Sequence, residues 1–174
     1  MRRTLRVASI AILALTAASC ARGSATTPAV SSSTGGAGIR VDLLEAGIRA
    51  VASHSQILIV QTRLCQRIPE EVEDCPSRIT DDERAILTDR LDDLGDDIRF
   101  VPRYEDTYGT IPEKVTRDYI MLGVPQDRGD GTYWIEAGEV SCEMCAHGGT
   151  YVLERRDGVW VSTGNAPDTG QWVA

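Results

Sequence analysis

The helix signals of this chain lie ahead of most of its strand signals, and that order limits the folds it can adopt. Apolar residues recur every three or four positions over 41–52, which predicts an amphipathic helix. Thr80 and Glu83 form the pattern of a capping box, in which each side chain accepts a hydrogen bond from a free backbone N–H group where a second helix begins. The apolar side of that helix is expected to contain Ile86, Leu87, Leu91 and Leu94, and Gly95 is expected to cap its end.

Short apolar and β-branched runs predict the strands. One buried strand is expected over 56–65 and a short one over 98–101, and four more follow over 117–124, 133–142, 149–155 and 159–163. Asp157 and Gly158 predict a tight hairpin turn, because this pair accepts positive φ angles. Trp160 would then cover the sheet and the small glycines opposite. We therefore predict an α+β fold, with N-terminal helices packed on one face of a mainly antiparallel sheet and a C-terminal β-meander.

The first residues of the chain have the pattern of a targeting segment. Three arginines, Arg2, Arg3 and Arg6, precede an uncharged and mostly apolar stretch over 7–18. As a helix this stretch would span about 18 Å, which is too short for a hydrocarbon core of roughly 30 Å. A signal peptide over 1–19 is therefore favoured over a transmembrane anchor.

The sequence Thr16-Ala17-Ala18-Ser19-Cys20 resembles the lipobox of bacterial lipoproteins, in which small residues precede a cysteine. The resemblance implies cleavage before Cys20 and a lipid, such as a palmitate-containing diacyl group, on its sulfur. That family prefers leucine at the position of Ala17. The alternative is an ordinary signal peptide and a secreted protein in which Cys20 has no special role.

The residues after Cys20 predict a flexible linker and then one folded domain. Residues 21–38 are small, polar and rich in Ser, Thr and Gly, so they offer almost no side chains for a core. We expect Cys20 and this linker over 20–38, and a single α+β domain over 39–174. A linker directly behind a lipidated cysteine would lift the domain away from the membrane surface.

Four cysteines remain in the domain, and outside the cytoplasm an even number indicates disulfide bonds. The pairs Cys65–Cys75 and Cys142–Cys145 are favoured because their members are close in sequence. Two alternatives stay open for Cys142 and Cys145: a redox-active dithiol, and a metal site that includes His147. Redox motifs of this spacing lie at helix N-termini, whereas the residues after Cys145 (Ala-His-Gly-Gly) are typical of a turn.

The stretch over 142–160 (CEMCAHGGTYVLERRDGVW) is similar to a segment of uncharacterised secreted bacterial proteins. Those proteins carry a cysteine pair, a Gly-rich turn, a strand and then D-G-x-W. They usually have glycine beside the cysteines and three residues between them, whereas two residues, Glu143 and Met144, stand here. The resemblance implies a structural hairpin in an exported domain and brings no activity.

No catalytic, cofactor or metal-binding residue can be assigned from the sequence. It contains neither a G-x-S-x-G elbow nor a phosphate-binding glycine loop. A net charge of −8 argues against nucleic acid as a partner. We therefore expect a lipid-anchored protein on the extracytoplasmic face of a cell membrane, with a non-catalytic binding or structural domain whose partner is unknown. The alternative function is a thiol–disulfide redox protein that uses Cys142 and Cys145.

Overall fold

The computed structural model of this chain describes residues 36–65, 75–103, 117–142 and 145–173. These residues belong to a unit that spans Ser33–Ala174. The predicted signal peptide, Cys20 and most of the predicted linker lie outside the described residues. So do the acidic stretch over 66–74 and the segment over 104–116.

The described part of the chain contains two helices and nine strands. The helices are α1 (Gly36–Val51) and α2 (Asp81–Arg90). The strands are β1 (Ser55–Cys65), β2 (Ser77–Arg78), β3 (Gly95–Val101), β4 (Arg117–Gly123), β5 (Gln126–Asp127), β6 (Tyr133–Cys142), β7 (Cys145–Arg156), β8 (Val159–Asn165) and β9 (Trp172–Val173).

The strands form one mixed sheet. Its main path has the order β2-β1-β4-β6-β7-β8, and β3, β5 and β9 add to β1, β6 and β7 respectively. The pairs β1–β3 and β1–β4 are parallel, and the other described pairs are antiparallel. The predicted α+β class is confirmed. The parallel pairs join strands that are far apart in sequence, and short-range patterns do not reveal them.

Helix α1 supplies one side of the core, as its sequence pattern predicts. Leu44 and Ile48 are fully buried in one cluster with Ile120, Leu122 and Ile135 of the sheet. The helix begins at Gly36, inside the stretch predicted as linker. Tertiary contacts stabilise this first part, because the Arg40 guanidinium donates hydrogen bonds to Ser77 Oγ and to the Arg78 carbonyl.

Helix α2 begins as predicted and ends earlier than predicted. Both hydrogen bonds of the capping box between Thr80 and Glu83 are present. The prediction that Gly95 caps this helix was wrong, because the helix ends at Arg90 and Gly95 begins β3. A Cβ atom on Gly95 would lie 3.2 Å from Cβ of Leu58, so glycine allows β3 to approach β1 closely. The prediction that Ile86 belongs to the buried side was also wrong, since it is 42% exposed.

The C-terminal hairpins confirm one prediction and correct two others. Asp157 and Gly158 have φ angles of 51° and 86°, as the predicted turn requires. The turn expected over 146–149 is instead part of β7, and Gly148 pairs with Gly138. The Trp172 indole, rather than Trp160, covers these two glycines, because a Cβ at either one would lie 2.4 Å from Trp172 Cζ2. The core cluster instead contains Trp160.

Candidate functional site

Four polar side chains meet where α1 ends: Ser53, Asp118, Glu139 and His147, which we name the carboxyl cluster. Strand register brings three of them together. Strand β6 lies between β7 and β4. Glu139 of β6 pairs with His147 of β7 on one side and with Ile120 of β4 on the other. Since alternate residues of a strand share one face of the sheet, Asp118 lies on the same face as Ile120 and diagonally from Glu139.

Ser53 reaches the cluster because α1 stops just before it. The last turn closes with a 2.8 Å hydrogen bond from the Ala52 N–H to the Ile48 carbonyl, and Ser53 lies in the short link to β1. The helix packs over the sheet through Leu44 and Ile48. Its C-terminal end is therefore held directly above β4 and β6.

One hydroxyl group joins both carboxyl groups of the cluster. Ser53 Oγ lies 2.9 Å from Asp118 Oδ2 and 2.9 Å from Glu139 Oε1. A hydroxyl carries a single proton, so it can donate to only one of these oxygens. The second contact is satisfied when the other carboxyl is protonated and donates to Ser53. The arrangement therefore fits a carboxyl pair that shares one proton.

The environment of Glu139 disfavours its ionised form. Asp118 and Glu139 are only 5% and 3% exposed. Burial, the largest cause, and the neighbouring Asp118 together raise the pKa of Glu139 to about 7, although the Ser53 hydrogen bond acts in the opposite direction. Within the ranges that the structure covers, no Arg or Lys side chain forms an ion pair with either carboxyl group.

The cluster has one side that water can reach. His147 Nε2 lies 3.5 Å from Glu139 Oε2, and the His147 side chain is 51% exposed whereas that of Glu139 is 4% exposed. Tyr151, farther along β7, lies on the same face of the sheet as His147. Burial, followed by the charge of Glu139, raises the pKa of the Tyr151 hydroxyl. Protons can thus reach the buried pair from the His147 side.

This geometry suits proton exchange better than nucleophilic catalysis. In a serine triad, histidine stands between the serine and the acid. Here Ser53 contacts the carboxyl groups directly, and His147 approaches the other oxygen of Glu139. Among the described residues, no base oriented by a third group therefore activates Ser53 in the manner of such a triad.

The disulfide predicted between Cys65 and Cys75 is present. It joins the end of β1 to the residues just before β2, as expected for a link across the intervening acidic stretch. Cys145 also takes part in a disulfide and is exposed. In the β6–β7 register the Cα atom of Cys145 is opposite that of Cys142. The motif thus joins two strands, rather than lying at the start of a helix where redox-active pairs are usual.

The two histidines of the chain lie in different surroundings. His147 faces Glu139 from within β7, rather than lying in a turn as predicted, and the neighbouring Cys145 is disulfide-bonded. Nδ1 of His54 lies 3.2 Å from the Asp93 carbonyl oxygen. Among the residues that the structure describes, no group of three or more His, Cys, Asp or Glu side chains is arranged to hold a metal ion.

The aromatic residues contribute to packing in two places. Tyr133 and Trp160 pack edge to face with ring centroids 5.3 Å apart, and both contact the main core. On the other face of the sheet, the Arg128 guanidinium lies 4.0 Å from the centroid of Trp134.

Neither helix in the described part of the chain is long and apolar enough to cross a membrane.

Comparison with known proteins finds no relative of this chain. No protein-family model, no curated protein and no solved structure matches the chain. The site therefore has to be interpreted from its own chemistry.

Sequence reasoning missed both carboxyl groups of the cluster. The sequence analysis assigned no role to Asp118 or to Glu139. The available signal was an isolated acid in an apolar strand: Asp118 is followed by Tyr119 and Ile120, and Glu139 alternates with Ala137 and Ile135. A period of two places Glu139 on the buried face.

Proposed function

We propose that this chain is an exported envelope protein, anchored by lipid on Cys20 to the extracytoplasmic face of a cell membrane. Its folded domain would act as a non-catalytic binding or structural module. The observation that carries this proposal is the Cys65–Cys75 disulfide. Disulfides persist in oxidising compartments and are rare in the cytosol, so a chain that forms one is expected to fold outside the cytosol.

The N-terminal sequence supports the same location. The three arginines, the short apolar stretch over 7–18 and the small residues before Cys20 resemble the pattern of an exported lipoprotein. The lipid would be its contact with the membrane. The net charge of −8 disfavours nucleic acid, and the protein or small-molecule partner is not specified by these features. Release as a secreted protein is the alternative outcome.

We also propose the finer architecture of the domain: both helices cover one face of the sheet, and β6, β7 and β8 form a C-terminal β-meander. The shared cluster of Leu44, Leu87, Leu91 and Ile120 supports the first part, because it unites both helices with the sheet. The consecutive antiparallel pairs β6–β7 and β7–β8 support the second.

The location is tested by intact-mass analysis of the native protein from the membrane fraction. The expected result is a chain that begins at Cys20 and carries a diacyl adduct. A Cys20→Ser variant should lose the adduct and leave the membrane fraction, whereas the matched variant Ser19→Ala, which keeps the small residue before the cysteine, should retain both. A full-length chain recovered from the cytosol with reduced thiols would contradict the proposal.

A second candidate function is thiol–disulfide exchange at Cys142 and Cys145. The observation in its favour is that Cys145 is both exposed and disulfide-bonded. An equilibrium with a glutathione buffer tests it, with the formation of free thiols followed by alkylation and mass analysis. A structural disulfide should stay oxidised at potentials well below about −250 mV, whereas reduction near −200 mV or above would favour redox activity. The Cys65–Cys75 bond serves as the internal reference.

A further inference from the structure

The C-terminal end of α1 contacts the sheet through Ser53, whose hydroxyl lies between two buried carboxyl groups. Ser53 Oγ lies 2.9 Å from one oxygen of Asp118 and 2.9 Å from one oxygen of Glu139. Both carboxyl groups are almost completely buried. With one shared proton, the three groups are joined by hydrogen bonds. Without it, two negative charges face each other in a site of low polarity, and Ser53 can donate to only one of them.

Among the described groups that surround Glu139, His147 is the one that can carry a positive charge, and it does so only when it is protonated. Asp118 faces it from β4, and His147 and Tyr151 face it from β7. From α1 and the link to β1, Ser53 contributes a neutral hydroxyl, and His54 is directed to the Asp93 carbonyl.

The charged side chains of α1 are engaged elsewhere. They form ion pairs with one another or with α2 and the turn that follows it; these residues are Arg40, Asp42, Glu45 and Arg49. The dipole of α1 also places partial negative charge at its C-terminal end, which further disfavours a second carboxylate there.

We propose that Ser53, Asp118 and Glu139 form a pH-sensitive latch. While one carboxyl is protonated, the latch holds the end of α1 on β4 and β6. When both carboxyl groups are ionised, their repulsion loosens the link between α1 and β1 from the sheet. The latch needs only the folded domain, so it does not rest on the lipid anchor or on export.

Two backbone amides beside the latch report its opening. The Ala52 N–H donates to the Ile48 carbonyl, and the Ser55 N–H donates to the Leu94 carbonyl. Hydrogen exchange of the full chain, with its disulfides intact, is measured at pH 5 and pH 8 and corrected for the intrinsic exchange rate. We expect the opening equilibrium at these amides to increase by about 10-fold or more at pH 8. Amides in the β7–β8 hairpin should change far less.

Two substitutions each replace one carboxyl group of the latch by a neutral amide, so that two negative charges can no longer face each other. Glu139→Gln and Asp118→Asn should each abolish the pH dependence of exchange at Ala52 and Ser55. If one of them fails to fold, the other answers the same question. Glu154→Gln is the matched control, because Glu154 is a partly exposed glutamate of β7 that pairs with Arg156. It should leave the pH dependence unchanged.

Three results would overturn the latch. The first is equal opening of the native chain at pH 5 and pH 8. The second is a pH dependence that survives in Glu139→Gln and in Asp118→Asn. The third is an equal increase in exchange at the latch and in the distant hairpin, which would indicate destabilisation of the whole domain. A protein without lipid on Cys20 would contradict the proposed location and leave the latch intact.

Discussion

Two glutamates in the described part of this domain are almost completely buried, and each has different neighbours. Glu83 at the start of α2 is 6% exposed, and Glu139 in β6 is 3% exposed. The Glu83 carboxylate accepts a 2.8 Å hydrogen bond from the Thr80 N–H and lies 3.4 Å from an Arg40 nitrogen. Glu139 contacts a serine hydroxyl, a second carboxyl group and a half-exposed histidine.

The comparison shows two ways to bury a carboxyl group. Near the N-terminal part of α1, a guanidinium and a free backbone N–H group at a helix start compensate a full negative charge. At the C-terminal end of the same helix, no guanidinium of the described residues forms an ion pair with Glu139. There the pKa of Glu139 is raised to about 7 by burial, and retention of a proton replaces charge compensation. Helix α1 is therefore fixed at one end by charge and at the other by a proton.

Removal of the cation at Glu83 should have the largest effect. Arg40→Met leaves a buried carboxylate without its partner and also deletes the hydrogen bonds to Ser77 and the Arg78 carbonyl. We expect the free energy of unfolding in urea at pH 7 to fall by about 2–3 kcal/mol. Addition of Glu83→Gln should recover part of this loss.

The matched control for this change is Arg156→Met, which removes the cation of an exposed pair with Glu154. That change should cost less than about 0.5 kcal/mol. Equal losses for the two variants would show that burial of Glu83 does not matter.

Glu139→Gln should raise the free energy of unfolding, whereas Arg40→Met lowers it, and the increase should occur only at high pH. Because the folded-state pKa of Glu139 lies above its ordinary value of 4.5, the folded protein binds more protons than the unfolded chain between about 4.5 and 7. This contribution to stability is complete below 4.5 and is lost as the pH rises through 7. We expect Glu139→Gln to stabilise the domain by about 1–2 kcal/mol at pH 8, after allowance for water at His147, with little change at pH 5. Urea unfolding at both pH values measures the difference.

Loss of the N-terminal cap of α2 should lower the free energy of unfolding, and this loss should not depend on pH near neutrality. Thr80→Ala removes the hydroxyl that accepts from the Glu83 N–H, and we expect a loss of about 1 kcal/mol. The loss should be the same at pH 6 and pH 8, as measured by urea unfolding. Thr80→Ser keeps the acceptor and should retain most of the stability. A loss that appears only at pH 8 would contradict this distinction.

Ser53→Ala should have the smallest effect on stability and a clear effect on titration. The Ser53 hydrogen bond lowers the pKa of Glu139, so its removal should raise that pKa above the native value. The free energy of unfolding at pH 6 should fall by no more than about 1 kcal/mol. A titration of the variant by carboxyl-carbon NMR tests the direction of the shift. A lower pKa in Ser53→Ala would show that the hydroxyl does not favour the ionised form.

Local signals in the sequence predicted the structural role of one of these two buried glutamates, Glu83. Glu83 is three residues from Thr80, and this spacing alone specifies the capping box that the structure contains. The hairpin at Asp157–Gly158 and the disulfide Cys65–Cys75 were predictable for the same reason, since their partners are close in sequence.

The carboxyl cluster depends instead on long-range pairing. Ser53 is separated from Asp118 by 65 positions and from Glu139 by 86. Their contact follows from the parallel pair β1–β4 and the antiparallel pair β4–β6, neither of which has a short-range signature. The same is true of Gly95, whose small size serves the approach of β3 to β1 rather than a helix end.

The most direct test of the account is the titration of Glu139 itself in the folded native chain. Selective ¹³C labelling of glutamate carboxyl carbons, with assignment by the Glu139→Gln variant, would follow this group from pH 3 to pH 9. We predict a midpoint at about 7, because burial and the neighbouring Asp118 carboxyl disfavour the second charge. A midpoint near the ordinary value of 4.5 would mean that Glu139 is ionised at neutral pH, and the proton-dependent attachment of α1 would be wrong.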